Sequence, residues 1–308
     1  MTNPETNVLV VGLTGMMGAK ITSALLDRGA NVRATIRPGG YEGAKAKLVQ
    51  SFRERGVKTV EANINQPDTL SVAVDGIAVI VSAVQGLREA VVDGQGHLLH
   101  AAEKAGVARM IPSDYSIDFF KADHENRNLD LRREFNEILD KAGVRGTSVL
   151  NGAFAEILTM GFPLLNLKAG TFDVWGDGAQ EMDFTTTDDA ARYIAETAVD
   201  SNAPRIVRFA GDSVSSNELL ALFEQWLGKK LRRVERGSID DLAAEIAKQQ
   251  QENPGKPDDA FPLWQALQYV HNMAGGSAKL DPLDNARYPQ VKPKTIREVL
   301  QSQPPPKF

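Results

Sequence analysis

No cysteine occurs anywhere in the 308 residues. That excludes disulfides, thiolate metal centres and cysteine nucleophiles. No uninterrupted apolar run is long enough to span a bilayer. Met1 to Thr6 is short and polar, so no basic and then apolar leader precedes the first hydrophobic stretch. A surplus of positive charge is missing too: 35 Lys and Arg stand against 40 Asp and Glu, which does not suggest a nucleic-acid surface. His97 and His100 lie three apart on one helical stretch, but no third ligand stands near them, and no metal site is expected. What is left is a soluble, cytoplasmic protein, long enough for one large domain or two small ones.

The first informative feature is a glycine-rich turn. Asn7-Val8-Leu9-Val10-Val11 is an apolar, β-branched run, followed at once by Gly12-Leu13-Thr14-Gly15-Met16-Met17-Gly18 and a helical pattern from Ala19. Strand, glycine turn and helix in this order form a dinucleotide-site pattern. Gly12 permits the tight turn, Gly15 the approach of the backbone to a pyrophosphate, and Gly18 the close packing of helix on strand. The amide groups and positive dipole end of that helix then face the phosphates.

The next strand, Asn31–Ile36, ends in Arg37. An NAD site places an acid there for the ribose 2′-hydroxyl, whereas a guanidinium suits a 2′-phosphate. Glu42 is near but lies past Pro38-Gly39-Gly40, in a loop. The residues therefore favour NADP(H) over NAD(H).

The first half alternates strands and helices. Helices are expected over Ala19–Arg28, Gly43–Glu54, Pro67–Val74, Gln95–Lys104 and Asn128–Lys141. Strands are expected over Val57–Glu61, Ala78–Val81, Ala108–Ile111 and, as the sixth, Thr147–Leu150. Units of this spacing build an α/β fold with a doubly wound parallel sheet. After Asn151 the pattern loosens. Thr171–Trp175 and Met182–Thr185 read as strands about the turn Gly176-Asp177-Gly178. Ser215-x-x-Glu218 is a capping box for a helix to Trp226, closed by Gly228. Helices over Asp188–Ala198, Ile239–Gln250, Pro262–Met273 and Thr295–Ser302 complete the reading, with a mobile polar tract through Asp259. The division is a nucleotide-binding domain over 1–155 and a substrate-binding region over 156–308, some segments of which return to the first sheet.

Ligands of an open parallel sheet bind beyond the carboxyl ends of its strands. That rule nominates the glycine turn, then Ser82-Ala83-Val84-Gln85, then Pro112-Ser113-Asp114-Tyr115, then Asn151-Gly152-Ala153-Phe154. Phe119, Phe120, Trp175, Phe261, Trp264 and Tyr269 are candidates either for an apolar substrate pocket or for ordinary core.

These residues resemble a family. Gly12-x-Thr14-Gly15-x-x-Gly18 is similar to the glycine pattern of atypical short-chain dehydrogenase/reductases, and the likeness is closest to the NmrA-like and isoflavone-reductase-like group. Pro112-Ser113-Asp114-Tyr115-Ser116 resembles its Pro-Ser-Glu-Phe-Gly segment. Trp175-Gly176-Asp177-Gly178, Phe184, Asp188-Asp189, Ser216-Asn217-Glu218-Leu219 and the ending from Tyr288-Pro289 to Thr295-Ile296-Arg297-Glu298-Val299-Leu300 are also similar. The resemblance implies a Rossmann-type fold with a smaller C-terminal substrate-binding region, NADP(H) as cofactor, and Lys45 as a second cation for the 2′-phosphate. It implies an NADPH-dependent reductase of a small aromatic, enone or carbonyl compound, working as a monomer or homodimer. The alternative is a catalytically silent NADP(H)-sensing regulator acting through protein partners.

One departure matters. The group's reductases carry a lysine on the helix before strand six, and the matching position here is Arg132. No Tyr-x-x-x-Lys pair exists either, since the residue four after Tyr115 is Phe119. Arginine does not give up a proton near neutral pH, but it can hold an oxyanion by charge, unless Asp130 or Glu134 occupies it. Tyr115, Lys121 and His124 are the other candidate acids. The expected cofactor contacts are Gly12, Thr14, Gly15, Met16, Met17, Gly18, Arg37, Lys45, Ser82, Ala83, Val84, Gln85, Pro112, Ser113, Asn151, Gly152 and Phe154.

Overall fold

The structure, a computed structural model, describes residues 6–123 and 125–306. It divides into two compact units. The first runs up to Tyr115 and takes in Leu131–Val149 and Ala190–Val207. The second comprises Ser116–Asp130, Leu150–Asp189 and the chain from Arg208 onward.

The first unit is built on β1 (Asn7–Val11), α1 (Met16–Asp27), β2 (Asn31–Ile36), α2 (Gly43–Glu54), β3 (Lys58–Glu61), α3 (Leu70–Val74), β4 (Val79–Ser82), α4 (Gln95–Ala105), β5 (Arg109–Ile111), α5 (Arg127–Leu139, which enters it at Leu131) and β6 (Arg145–Gly146). The six strands are all parallel, in the order β3-β2-β1-β4-β5-β6. The order reverses between β1 and β4, which makes the crevice above their carboxyl ends the switch point of the sheet. β4 is buried along its whole length, as its unbroken apolar sequence requires of a strand covered on both faces. Leu9, Ile80 and Met110 of the strands pack with Leu70, Leu98, Leu99, Phe135 and Leu139 of the helices into one cluster. Burial of side chains like these contributes about 1.5–3 kcal/mol each.

The sixth sheet strand differs from expectation. Arg145–Gly146 pairs with β5, while β7 (Ser148–Leu150) pairs with β12 (Ile206–Arg208). Thr147 Nα still donates to the Met110 carbonyl at 2.9 Å, so the chain turns away from the sheet just past this bond. Gly146 lies against Leu139, whose side chain would sit 2.7 Å from a Cβ at that position.

The second unit also holds β8 (Ala153–Phe154), α6 (Ile157–Met160), β9 (Leu165–Asn166), β10 (Thr171–Val174), β11 (Glu181–Thr185), β13 (Asp212–Ser215), α8 (Ser216–Leu227), β14 (Arg232–Glu235), α9 (Ile239–Glu252), α10 (Leu263–Ala274) and α11 (Ile296–Gln301), with α7 (Thr187–Val199) starting in it and ending in the first. β10 and β11 do not form a hairpin across Gly176-Asp177-Gly178. β10 pairs with β14 and β9, and β11 with β13 and β8. The capping box is present: Glu218 Nα donates to Ser215 Oγ and the Glu218 carboxylate accepts from Ser215 Nα, with Gly228 ending α8 at φ +63°. The tract between α9 and α10 has no regular structure, yet it is tied down. Trp264 Nε1 donates to the Pro254 carbonyl at 3.1 Å, and Arg127 and Asn128 donate to the Asp259 and Ala260 carbonyls at 2.8 Å each.

Candidate functional site

Gly12 sits at φ +98°, and a Cβ there would lie 2.6 Å from the Ala83 carbonyl oxygen, just beyond β4. Gly18 is tighter still, with a Cβ position 2.0 Å from the Gly12 carbonyl oxygen. Both glycines are therefore demanded by backbone contacts of the turn itself. Gly15 is exposed, has extended backbone as the N-cap of α1, and offers no side-chain cap. The first turn of α1 contains no acid. Thr14 and Met17 are half-buried beside it and Met16 is exposed. The opening amides of α1 thus have no side-chain cap, an arrangement that suits an anion.

A cleft of about 200 Å³ opens beside the turn. Val11, Gly12, Thr35, Arg37, Tyr41 and Asn63 line it, together with Ala62, Ile64, Leu70 and Val84. Arg37 is exposed at its rim and donates from Nε to the Gly40 carbonyl at 3.1 Å. Its guanidinium lies over the Tyr41 ring, 4.7 Å from the centroid. Lys45 Nζ lies 5.9 Å from the same centroid. Glu61, at the end of β3, accepts from Gly39 Nα at 3.3 Å rather than pairing with Arg37. Two cations on one ring, with an uncapped helix start close in sequence, fit a phosphorylated adenosine well. Tyr41 was not singled out from the sequence. The available signal was an aromatic residue midway between Arg37 and Lys45.

The loops after β4 and β5 are joined by side chains. Ser113 Oγ donates to the Val84 carbonyl at 2.7 Å, and Ser113 Nα donates to Gln95 Oε1 at 3.0 Å. Tyr115 Oη donates to the Ser82 carbonyl at 2.8 Å. Tyr115 is buried, and loss of solvent, with the charge of Asp114 beside it, pushes its phenol well above the usual value. The phenol expected as a candidate acid thus donates its proton to the backbone here.

Asp114 is fully buried; its Oδ2 accepts from Asn136 Nδ2 at 2.9 Å and from Ser148 Oγ at 2.7 Å. Burial pushes its carboxyl up, while those two hydrogen bonds and the charges of Arg132 and Arg205 pull it down. Arg205 ties the group together, donating to Ser148 Oγ at 2.8 Å and Asn136 Oδ1 at 2.6 Å. Arg132 is half-buried on α5, where its carbonyl accepts from Asn136 Nδ2 at 2.9 Å. The Glu134 carboxylate is held by Arg88.

The remaining candidates belong to the second unit. Asn151 is buried, and its carbonyl accepts from Thr185 Oγ1 at 2.7 Å. Gly152 lies at φ +69°, with a Cβ position 2.2 Å from the Asp183 carbonyl oxygen, so β11 passes too close for any side chain. Phe154 is half-buried in β8. Lys121 Nζ donates to the Asp281 carbonyl at 2.5 Å and lies 3.8 Å from Asp118. His124 lies outside the described residues. Phe119, Trp175 and Trp264 are buried core, while exposed Phe261 stacks on Tyr269 with centroids 6.3 Å apart. No cluster of three metal-ligating side chains occurs among the described residues. No helix among them is long and apolar enough to cross a membrane.

The chain is 31% identical over 254 residues to pinoresinol reductase 1 of Arabidopsis thaliana, covering 78% of this chain and 80% of that protein. It is 28% identical to an isoflavone reductase homolog of Zea mays, over 97% of this chain and 99% of the relative. A solved structure of AtPrR2 with NADP+ and (+)pinoresinol matches 97% of this chain and 99% of its own, with a TM-score of 0.79 at 25% identity. The model of the NmrA-like family matches residues 4–284, and the chain belongs to that family.

Proposed function

We propose that this chain is an NADPH-dependent reductase that adds hydride to a small aromatic, enone or carbonyl compound. The observation that carries the reading is the switch-point cleft, lined by Arg37 and Tyr41, with Lys45 facing the same Tyr41 ring. Its relatives, the reductases of pinoresinol and homologs of isoflavone reductase, support both the cofactor and the aromatic substrate class.

The roles proposed for residues of the first unit are these. Gly12, Gly15 and Gly18 bring backbone to the pyrophosphate, with Thr14, Met16 and Met17 around it and the opening amides of α1 supplying hydrogen bonds. Arg37 and Lys45 hold the 2′-phosphate by charge. Ser82, Ala83, Val84 and Gln85 flank the carboxyl end of β4, and Ser113, next to Pro112, braces Val84 from beyond β5. When bound, the nicotinamide supplies the hydride. Arg132 then stabilises the negative charge left on the substrate oxygen, and protonation falls to solvent. Lys121, Asn151, Gly152 and Phe154 keep the second-unit contacts described above.

The test is NADPH oxidation against a panel of quinones, enones, aromatic ketones and pinoresinol, followed at the nicotinamide absorbance band. Turnover of at least one panel member is the expected result. Tight NADPH binding with no turnover anywhere would favour the silent regulator instead.

A further inference from the structure

We propose that Tyr41 is a specificity-determining residue, holding Arg37 as a preformed receptor for the ribose 2′-phosphate. The inference rests on the NADPH reading and deepens it. Three contacts restrain Arg37. Its Nε donates to the Gly40 carbonyl at 3.1 Å, its guanidinium face lies 4.7 Å from the Tyr41 centroid, and its own Nα donates to Tyr41 Oη at 3.4 Å. Among the described residues its two terminal nitrogens make no hydrogen bond or ion pair, so the edge of the fork that suits a phosphate is left over. Lys45 Nζ also faces the ring, at 5.9 Å, and has no carboxylate partner among the described residues.

Two like charges gathered on one aromatic ring repel one another, and an anion between them removes that repulsion. The neighbouring acid does not do so: Glu61 is engaged by Gly39 Nα at 3.3 Å, which also pins the turn between Arg37 and Tyr41. A flexible arginine would lose rotamer freedom on meeting the phosphate. One already stacked and hydrogen-bonded has lost it in advance. Tyr41 therefore acts through Arg37 and discriminates between cofactors without adding a charge of its own.

The test uses two probes, adenosine 2′,5′-bisphosphate and AMP, titrated calorimetrically against the full chain and against Tyr41→Leu, Tyr41→Phe, Arg37→Ala and the Arg37→Ala/Tyr41→Leu double variant. The natural chain is expected to favour the bisphosphate. Tyr41→Phe keeps the ring and should keep that preference. Tyr41→Leu should lower it by about three- to tenfold. In the Arg37→Ala background Tyr41→Leu should cause no further change in the ratio. A Tyr41→Leu chain with an unaltered ratio, or one lowered equally with and without Arg37, would overturn the inference while the NADPH reading stood. Equal affinity of the natural chain for the two probes would overturn both.

Discussion

Tyr115 donates its hydroxyl proton to the carbonyl of Ser82, 2.8 Å away, so the aromatic residue of the Pro-Ser-Asp-Tyr segment is a strut between the ends of β5 and β4. Ser113 does the same for Val84 at 2.7 Å, and Asp114 accepts from Asn136 and Ser148. Each polar side chain of the segment thus has a partner inside the first unit.

Tyr115→Phe should therefore be a stability variant. Removing the donor leaves the Ser82 carbonyl buried without this partner, at a cost of about 1–3 kcal/mol. Denaturant melts should show that loss, and turnover per folded molecule should stay within a few-fold of the natural chain. A hundredfold fall in kcat with unchanged melting would return the phenol to the chemistry.

Arg132→Ala separates charge stabilisation from binding. Loss of one preorganised donor to a developing oxyanion lowers kcat by about 100- to 1000-fold. NADPH affinity, read by titration, should hold steady, because the cofactor contacts proposed above do not include Arg132. Equal kcat in the two chains would remove Arg132 from the mechanism.

Asp114 makes a pH prediction. Burial raises its carboxyl above the ordinary 3.8, against the opposing pull of Asn136, Ser148 and the two arginines. Between the ordinary and the raised value the unfolded chain releases this proton while the folded chain keeps it. Stability from this group therefore declines as pH climbs through that window. Asp114→Asn preserves an acceptor for Asn136 and Ser148 but cannot titrate. Thermal melts from acid to neutral pH should show the variant gaining on the natural chain as pH rises. Parallel profiles would contradict the assignment.

Much of the first unit was legible because local pattern and long-range packing agree there. The β1 run, the three glycines and α1 are adjacent in sequence, and the 2.0 Å approach of the Gly18 Cβ position to the Gly12 carbonyl shows why no other residue fits. The sixth strand was misplaced because Arg145–Gly146 is short and carries no apolar signal, whereas Ser148–Leu150 carries one and pairs elsewhere. The two strands about Gly176-Asp177-Gly178 were readable, but their partners were not, because a glycine turn does not say which strands then pair. Of the candidate site, Arg37 was readable from its place at the end of β2. Tyr41 was not, because a cation stacked on a ring across a glycine turn follows no helical or strand periodicity. The burial of Asp114 and the engagement of Tyr115 depend on partners 33 or 34 residues away, beyond the reach of a motif.

The central claim is that a ribose 2′-phosphate is met by Arg37 at the carboxyl end of β2. Calorimetric titration of the natural chain and of Arg37→Asp with NADPH and with NADH tests it most directly. The account predicts tight NADPH binding that weakens by about 10- to 100-fold in Arg37→Asp, as expected for losing a charged hydrogen bond, with NADH affinity little changed. A preference for NADPH that survives the substitution, or no heat from the natural chain with either cofactor, would contradict it.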